Sequence, residues 1–210
     1  MKKIEQIDQL CDYQGRSYIP ETSQYDPKAF CIRDASLAVG TVFSFPCGLE
    51  ISDEVVTGWH ATHLVLLALL AKLVEQIQSH EVCFCFTIGF NTPSKAEGNI
   101  LSRYSIKNAI FLGVSENQTD RPILAQKDGK VFSSPQLSER FLKLCEKNGI
   151  DVQQVISAEA LTAAERSFSP SLEQALSLAL PCSNRLSEQE SVRLSSAEDL
   201  LSALNLFLNP

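Results

Sequence analysis

The chain of 210 residues is 44% hydrophobic, carries a formal net charge of −7 and contains seven cysteines. That length suits one domain, or one with a small appendage, and provides ample core. The acidic balance excludes a general nucleic-acid binder, which needs clustered basic side chains to displace counterions from phosphate, and favours cytoplasmic solubility.

The cysteines, Cys11, Cys31, Cys47, Cys83, Cys85, Cys145 and Cys182, are scattered, odd in number and free of any C-x-x-C pair. They read as reduced thiols in a reducing compartment. In chain order, residues 2–12 fit a short amphipathic helix on Ile4, Ile7, Leu10 and Cys11. The opening MKKIEQIDQLCDY places acidic and polar residues where a signal peptide needs an apolar run. Residues 13–30, polar and broken by Pro20 and Pro27, read as an arm or loop. Residues 1–38 are therefore set apart as an N-terminal arm from a domain over 39–210. Ala38–Phe45 predicts a strand closed by Pro46, Cys47 and Gly48, and residues 49–57 a second, weaker one.

Gly58–Ser115 is the organising stretch. Residues 58–80, GWHATHLVLLALLAKLVEQIQSH, predict one long helix. Leu64, Leu67, Ala68, Ala71 and Val74 line one side, with Lys72, Glu75, Gln76 and Ser79 elsewhere, and the middle is apolar nearly all round, so most of the helix is expected to be buried. Its apolar run, Leu64–Leu73, is too short to span a bilayer and is interrupted by Lys72, so no membrane span is expected. Glu81–Gly89 reads as a buried strand in which Cys83 and Cys85 face one side as small apolar residues. A helix over Pro93–Tyr104 and a strand over Asn108–Val114 follow. This alternation points to an α/β layer with at least partly parallel pairing.

Downstream, Glu116–Arg121 is a polar turn and Ile123–Ser133 a strand pair about Asp128-Gly129. Ser134 and Pro135 open a helix that runs to Lys147 and is ended by Gly149. Val152–Ile156 is a strand, Ala158–Ser167 a helix, and Leu176–Leu180 a strand ended by Pro181. The stretch Leu186–Leu194 is irregular, with Glu188, Glu190, Glu198 and Asp199 assigned to a solvated face. Ser196-Ala197-Glu198-Asp199 resembles a capping box for a last helix with Leu200, Leu201, Leu204, Phe207 and Leu208 inward.

Chemistry-bearing motifs are sparse. No P-loop, G-x-G-x-x-G or G-x-S-x-G elbow occurs. His60 and His63, three apart on one helix side, are the best metal candidates, with Asp53 or Glu54 as nearby carboxylates. They lack the Glu of H-E-x-x-H, so packing or hydrogen-bonding roles are favoured. Cys83 and Cys85 are expected to be inert in a buried strand, and Cys47 and Cys182, each after a proline, have no evident base.

Several stretches taken in order resemble one family. AVGTVFSFP is similar to its V-G-D-x-V-x-F-x-P strand, with Thr41 in place of Asp. HLVLLALLAKL is similar to the helix after its Asp-Asp-Arg, EVCFCFTIGFN to the strand leading to its Glu-Glu pair, and NAIFLGVSEN to the strand ending in a metal-binding Asp. SPQLSERFLKLCEKNGIDVQ, ALSLALP and SSAEDLLSALNLFL follow its later helix, strand and closing helix. The chain thus resembles the tetrahedral/glutamyl dinuclear metallo-aminopeptidases of the zinc exopeptidase fold over roughly three-quarters of its length.

The resemblance implies a three-layer α/β/α domain with a mixed central sheet. It also implies a two-metal site, and there the residues depart. Gly58, Trp59 and His60 stand where the family has Asp-Asp-Arg. Phe90 and Asn91 replace the general base and its neighbouring Glu ligand, Gly113 replaces an Asp, and Leu186 falls at a late His. The family's first His lies on a segment not found here. Glu97 and Glu116, like Asp53 and Glu54, are several residues from any ligand position. The expectation is therefore no dinuclear metal, no cofactor and no catalytic residues. What remains is a degenerate cleft of Trp59, His60, Phe90, Asn91, Gly113 and Leu186, with Trp59 and Phe90 either filling the vacated space or lining a pocket. The leading reading is a non-catalytic peptidase-like protein acting by binding or assembly. Its partner would be a homo-oligomer or a paralogous peptidase subunit, although the family's inserted assembly domain is reduced here. The rivals are a hydrolase with a rebuilt mononuclear site on His60, His63 and a carboxylate, and a small-ligand module in the cleft.

Overall fold

The computed structural model describes residues 49–77, 82, 84, 101–102, 106–117, 119–167 and 172–209. It also describes the backbone of 10–11, 17–22, 30–33 and 40–42. Two compact units are distinguished: Met1–Pro46 with Phe86–Ile88, and Cys47–Cys85 with Gly89–Pro210.

In the first unit, β1 (Leu10–Cys11), β2 (Ser17–Thr22), β3 (Phe30–Arg33) and β4 (Gly40–Val42) form an antiparallel sheet in that order. Leu10 and Cys11 are therefore strand rather than helix, and residues 17–22 are not a loop. Pro20 misleads because β1 pairs only with Ser17 and Tyr18, leaving β3 as its one described neighbour there. A proline is tolerated where one side of a strand is unpaired.

The second unit holds a mixed sheet of β7 (Asn108–Glu116), β8 (Ile123–Asp128), β9 (Val131–Phe132), β10 (Gln153–Ser157) and β11 (Gln174–Cys182). Its order is β10-β8-β11-β7, with β9 paired to β8. β11 runs parallel to β7, β10 parallel to β8, and β11 antiparallel to β8. The expected mixed α/β class holds. β11 passes through Pro181 instead of ending before it, because β8 covers only Ser177–Ala179 and Pro181 pairs with β7 alone. A smaller antiparallel sheet joins β5 (Glu50–Ser52), β6 (Val55–Thr57) and β12 (Ser191–Arg193). Residues 49–57 are thus a hairpin and not one weak strand.

Three helices, α1 (Ala61–Gln76), α2 (Pro135–Lys147) and α3 (Leu194–Leu208), pack on one face of the main sheet. Leu176, Leu178 and Leu180 of β11 and Leu124 of β8 meet Leu66, Leu69 and Leu73 of α1, Phe141 of α2, and Leu200, Leu204 and Phe207 of α3. Each such leucine contributes about 2 kcal/mol on burial. α1 buries Ala61, Thr62, Leu66, Leu69 and Leu73, while Leu67, Ala68, Ala71 and Val74 are exposed, so less of the helix is buried than expected. With leucines on almost every side, spacing alone cannot choose the buried stripe; packing on α3 and β11 does.

α2 follows its sequence signals. Pro135 sits at its first position, although Ser134 makes no side-chain cap. At its end Gly149 takes φ 70, with Gly149 N–H donating to Glu146 O (3.2 Å) and Ile150 N–H to Cys145 O (2.9 Å). That pair of bonds is a Schellman motif. α3 begins two residues before the expected cap. The Ser196 hydroxyl donates to the Asp120 carbonyl, and the first-turn Leu194 N–H donates to Glu54 O (2.8 Å). The helix expected over Ala158–Ser167 is only a 3-10 turn at Ala164–Arg166. Within the expected strand Glu81–Gly89 and helix Pro93–Tyr104, only Val82, Phe84, Leu101 and Ser102 are described; the rest lies outside the described residues.

Candidate functional site

Parallel strands present their carboxyl ends to ligands in open α/β folds. Here β7 and β11 end together at Glu116 and Cys182. The chain at that end is shaped by backbone that L-residues seldom adopt. Asp53 (φ 49) and Glu54 (φ 64) make the β5–β6 loop with positive φ at both central positions, as a two-residue I′ hairpin requires. β6 then leads through Gly58 (φ 146) and Trp59 to His60 (φ 55), which precedes α1 without making a side-chain cap.

The missing cap comes from far along the chain. Glu190 is fully buried. Its Oε1 accepts the Thr62 N–H (2.9 Å) in the first turn of α1, and its Oε2 accepts the Leu186 N–H (2.8 Å). Its main-chain carbonyl also accepts the Gly58 N–H (2.9 Å). A carboxylate is stabilised against the amino end of a helix, where unpaired N–H groups and the helix dipole converge. Glu190 thereby clamps the turn before α1 to the 184–190 loop, in which Asn184 (φ 53) and Leu186 (φ 62) are also left-handed. Assigning Glu190 to a solvated face was incorrect.

Around the clamp stand His60, His63, Arg185 and Cys182. The His60 and His63 rings lie edge to face at 5.9 Å, and Trp59 is 5.9 Å from His60. Burial lowers the His63 pKa; Arg185 and His60 add to the effect and Glu190 opposes it. Burial also pushes the Cys182 thiol up to about 11, with the nearby Thr62 side chain opposing the shift. A thiol so protonated is a poor nucleophile at neutral pH. Both carboxylate oxygens are engaged by N–H groups, and beside them Trp59, 43% exposed, and Leu186, 50% exposed, face solvent with His60 half-buried. Trp59 therefore does not fill a closed void.

The structure thus brings Trp59, His60 and Leu186 to one end, tied through Glu190. Gly113 lies elsewhere, inside β7 opposite Ala179. A Cβ there would lie 2.9 Å from the Leu161 carbonyl carbon, 3.0 Å from Thr162 Cα and closer still to the Leu161 oxygen. Asp128, also fully buried, holds that segment in place. It accepts the Leu161 N–H (2.6 Å) and, through its other oxygen, the Thr162 hydroxyl. Asp53 and Glu54 are exposed at the hairpin tip. Among the described residues, no three His, Cys, Asp or Glu side chains converge as a ligand set for a metal ion. Phe90, Asn91 and Glu97, together with the side chains of Thr41, Cys47, Cys83 and Cys85, lie outside the described residues.

Sequence reasoning missed Glu190 and Asp128. One sits among other acids and the other in an Asp-Gly turn, so neither pattern distinguishes a buried carboxylate. A surface groove of about 700 Å³ also runs along α2, lined by Gln136, Glu139, Arg140, Lys143, Lys147 and Leu206 among others. It lies away from the strand ends. Its Glu139–Lys143 pair (2.6 Å) is solvent-exposed and worth little.

No protein-family model and no curated protein sequence matches the chain. Solved structures do. The TET1 peptidase of Pyrococcus horikoshii, which can assemble into a tetrahedron or a large octahedral shell, matches with TM-score 0.64 at 18% identity, over 95% of this chain and 70% of that one. Aminopeptidase APDkam598 of Desulfurococcus kamchatkensis matches with TM-score 0.69 at 15% identity, over 95% and 67%. An M18-family aminopeptidase of Thermotoga maritima matches with TM-score 0.51 at 11% identity, over 76% and 47%. The fold is therefore the one these aminopeptidases share. This chain spans between about half and seven-tenths of the length of the three.

Proposed function

We propose that this chain is a non-catalytic, aminopeptidase-like protein that works by binding or assembly. Fold alone does not carry function; the site must. The observation that carries the reading is Gly113. The resemblance puts a metal-binding Asp there, and the Leu161–Thr162 main chain takes the space that even a Cβ would need. A second metal-binding position falls on Leu186, a half-exposed turn residue with no donor side chain. His60 and His63 offer two imidazoles, but no third ligand joins them among the described residues. Hard or borderline divalent ions need several anionic oxygens or neutral nitrogens at once. These residues do not fit a two-metal centre.

What the same end of the molecule offers is a recognition surface. The lone tryptophan, Trp59, stands exposed beside His60, while the Glu190 clamp fixes the Leu186 turn. An indole held on a rigid turn binds at small entropic cost. The partner is proposed to be a second copy of this chain or a related peptidase subunit, as the assembly of the Pyrococcus peptidase suggests. No described helix is long and apolar enough to cross a membrane.

The test is hydrolysis of aminoacyl p-nitroanilides with added Zn²⁺ or Co²⁺. Release at the no-protein rate is expected, whereas saturable turnover that falls on His60→Ala would refute the reading.

A further inference from the structure

The main sheet ends at β10, and among the described residues nothing pairs with its outer edge. An uncovered edge presents a row of N–H and C=O groups able to take another strand, and soluble proteins usually guard it with charge or proline. β10 has neither. Its residues, Gln153-Gln154-Val155-Ile156-Ser157, are uncharged. Register shifts between Val155 and Ile156. Val155 packs on the Ile123, Ala125 and Leu161 cluster, while Ile156 is 79% exposed. Ordinary alternation along β10 puts these two side chains on opposite faces, and the unpaired residue of the irregularity, Gln126, belongs to β8. By register, Ile156 lies beside Lys127 of β8, and Lys127 beside Phe132 of β9, itself 69% exposed. The Lys127 Nζ sits 5.8 Å from the centre of the Phe132 ring. Phe132, Lys127 and Ile156 therefore form one row that runs to the edge with which no described strand pairs.

We propose that β10 pairs antiparallel with β10 of a second copy, joining the two main sheets across a twofold axis at Ile156. Charge decides the occupant and the register. Centred on Ile156, the pairing sets Ile156 against Ile156, Val155 against Ser157, Gln154 against Ala158 and Gln153 against Glu159, so no like charges meet. Centred one residue earlier, it sets Asp151 against Glu159, which is repulsive. In the favoured register the row reads Phe132, Lys127, Ile156 and then the same three reversed. The two lysines stand three strand spacings apart, about 14 Å, beyond the screening length at physiological salt. A second terminal strand, β5 of the smaller sheet, argues the contrast. Its Ile51 is 71% exposed, but Glu50, Asp53 and Glu54 crowd the same hairpin and would oppose one another in a pair. The isologous arrangement uses the β10 edge of both copies and so closes on itself at that edge.

The inference stands whether or not the chain is catalytic. Sedimentation equilibrium of the full chain from micromolar to submillimolar concentration tests it, beside Ile156→Lys and Ile51→Lys. Both substitutions are at exposed side chains, and thermal melts confirm that each variant folds. Expected is a reversible shift from the 23.2 kDa chain to twice that mass. Ile156→Lys should weaken association about a hundredfold, because two buried isoleucines become two facing charges, and Ile51→Lys should leave it unchanged. A wild type that stays monomeric, a dimer indifferent to Ile156→Lys, or equal loss in both variants overturns the proposal.

Discussion

Glu190 and Asp128 are both fully buried carboxylates that hold loops by accepting main-chain N–H groups, yet their surroundings differ. Asp128 is enclosed by Thr162, whose hydroxyl lies 3.5 Å from that of Ser177, and by the Leu161 segment that closes over Gly113. Glu190 is ringed by His60, His63, Arg185 and Cys182, with Trp59 and Leu186 exposed beside it. The same device builds a sealed wall at one place and supports an open surface at the other. A buried acid is therefore no sign of chemistry by itself; what it leaves exposed decides.

The sealed side should break hardest. Gly113→Ala forces a methyl against the Leu161 carbonyl and Thr162 Cα, both main chain, which cannot swing away. A loss of about 3 kcal/mol is expected from urea unfolding, and a loss below 1 kcal/mol would mean that the segment yields freely. Asp128→Ala leaves the Leu161 N–H and the Thr162 hydroxyl unsatisfied in the interior. It should cost about 2–3 kcal/mol by the same measurement.

Glu190→Gln keeps one acceptor and turns an NH₂ toward a main-chain donor, so about 1–2 kcal/mol is expected. Unlike the Asp128 change, it should also shift Trp59 emission, since the turn bearing Trp59 loses its clamp. Equal spectra for both variants would remove the contrast between the two regions.

The smallest effect is on pH. The folded His63 pKa lies below 6.5, chiefly through burial, so the unfolded chain binds the proton more tightly. Stability from this group is complete above pH 6.5 and is lost as pH falls from there through the folded value. The slope for one proton is no steeper than about 1.4 kcal/mol per pH unit. His63→Gln should flatten the melting temperature between pH 8 and pH 5, and an unchanged slope would assign the dependence elsewhere.

Much of the scaffold was legible because local chemistry and tertiary structure agree. Pro135 and Gly149 bracket α2, and the Asp128-Gly129 turn joins β8 to β9 with Gly129 at φ 61. The apolar runs at Asn108–Val114 and Leu176–Leu180 became the parallel pair β7 and β11. Illegible were choices made only by packing. α1 is apolar on nearly every side, so its buried stripe waited for α3 and β11. Ser196 looked like a cap until its hydroxyl found the Asp120 carbonyl. Of the candidate site, Trp59, His60 and Leu186 came together, but Glu190, which ties them by capping Thr62 from 128 positions away, carried no local signal.

The central proposal is that this chain, with a fold shared with aminopeptidases, lacks a two-metal centre. Calorimetric titration of the metal-stripped full chain with Zn²⁺, read beside elemental analysis of the untreated protein, addresses it most directly. The account predicts less than one tightly held ion per chain and no stabilisation against heat on adding zinc. Two ions per chain, each raising the melting temperature and restoring hydrolysis, would contradict it.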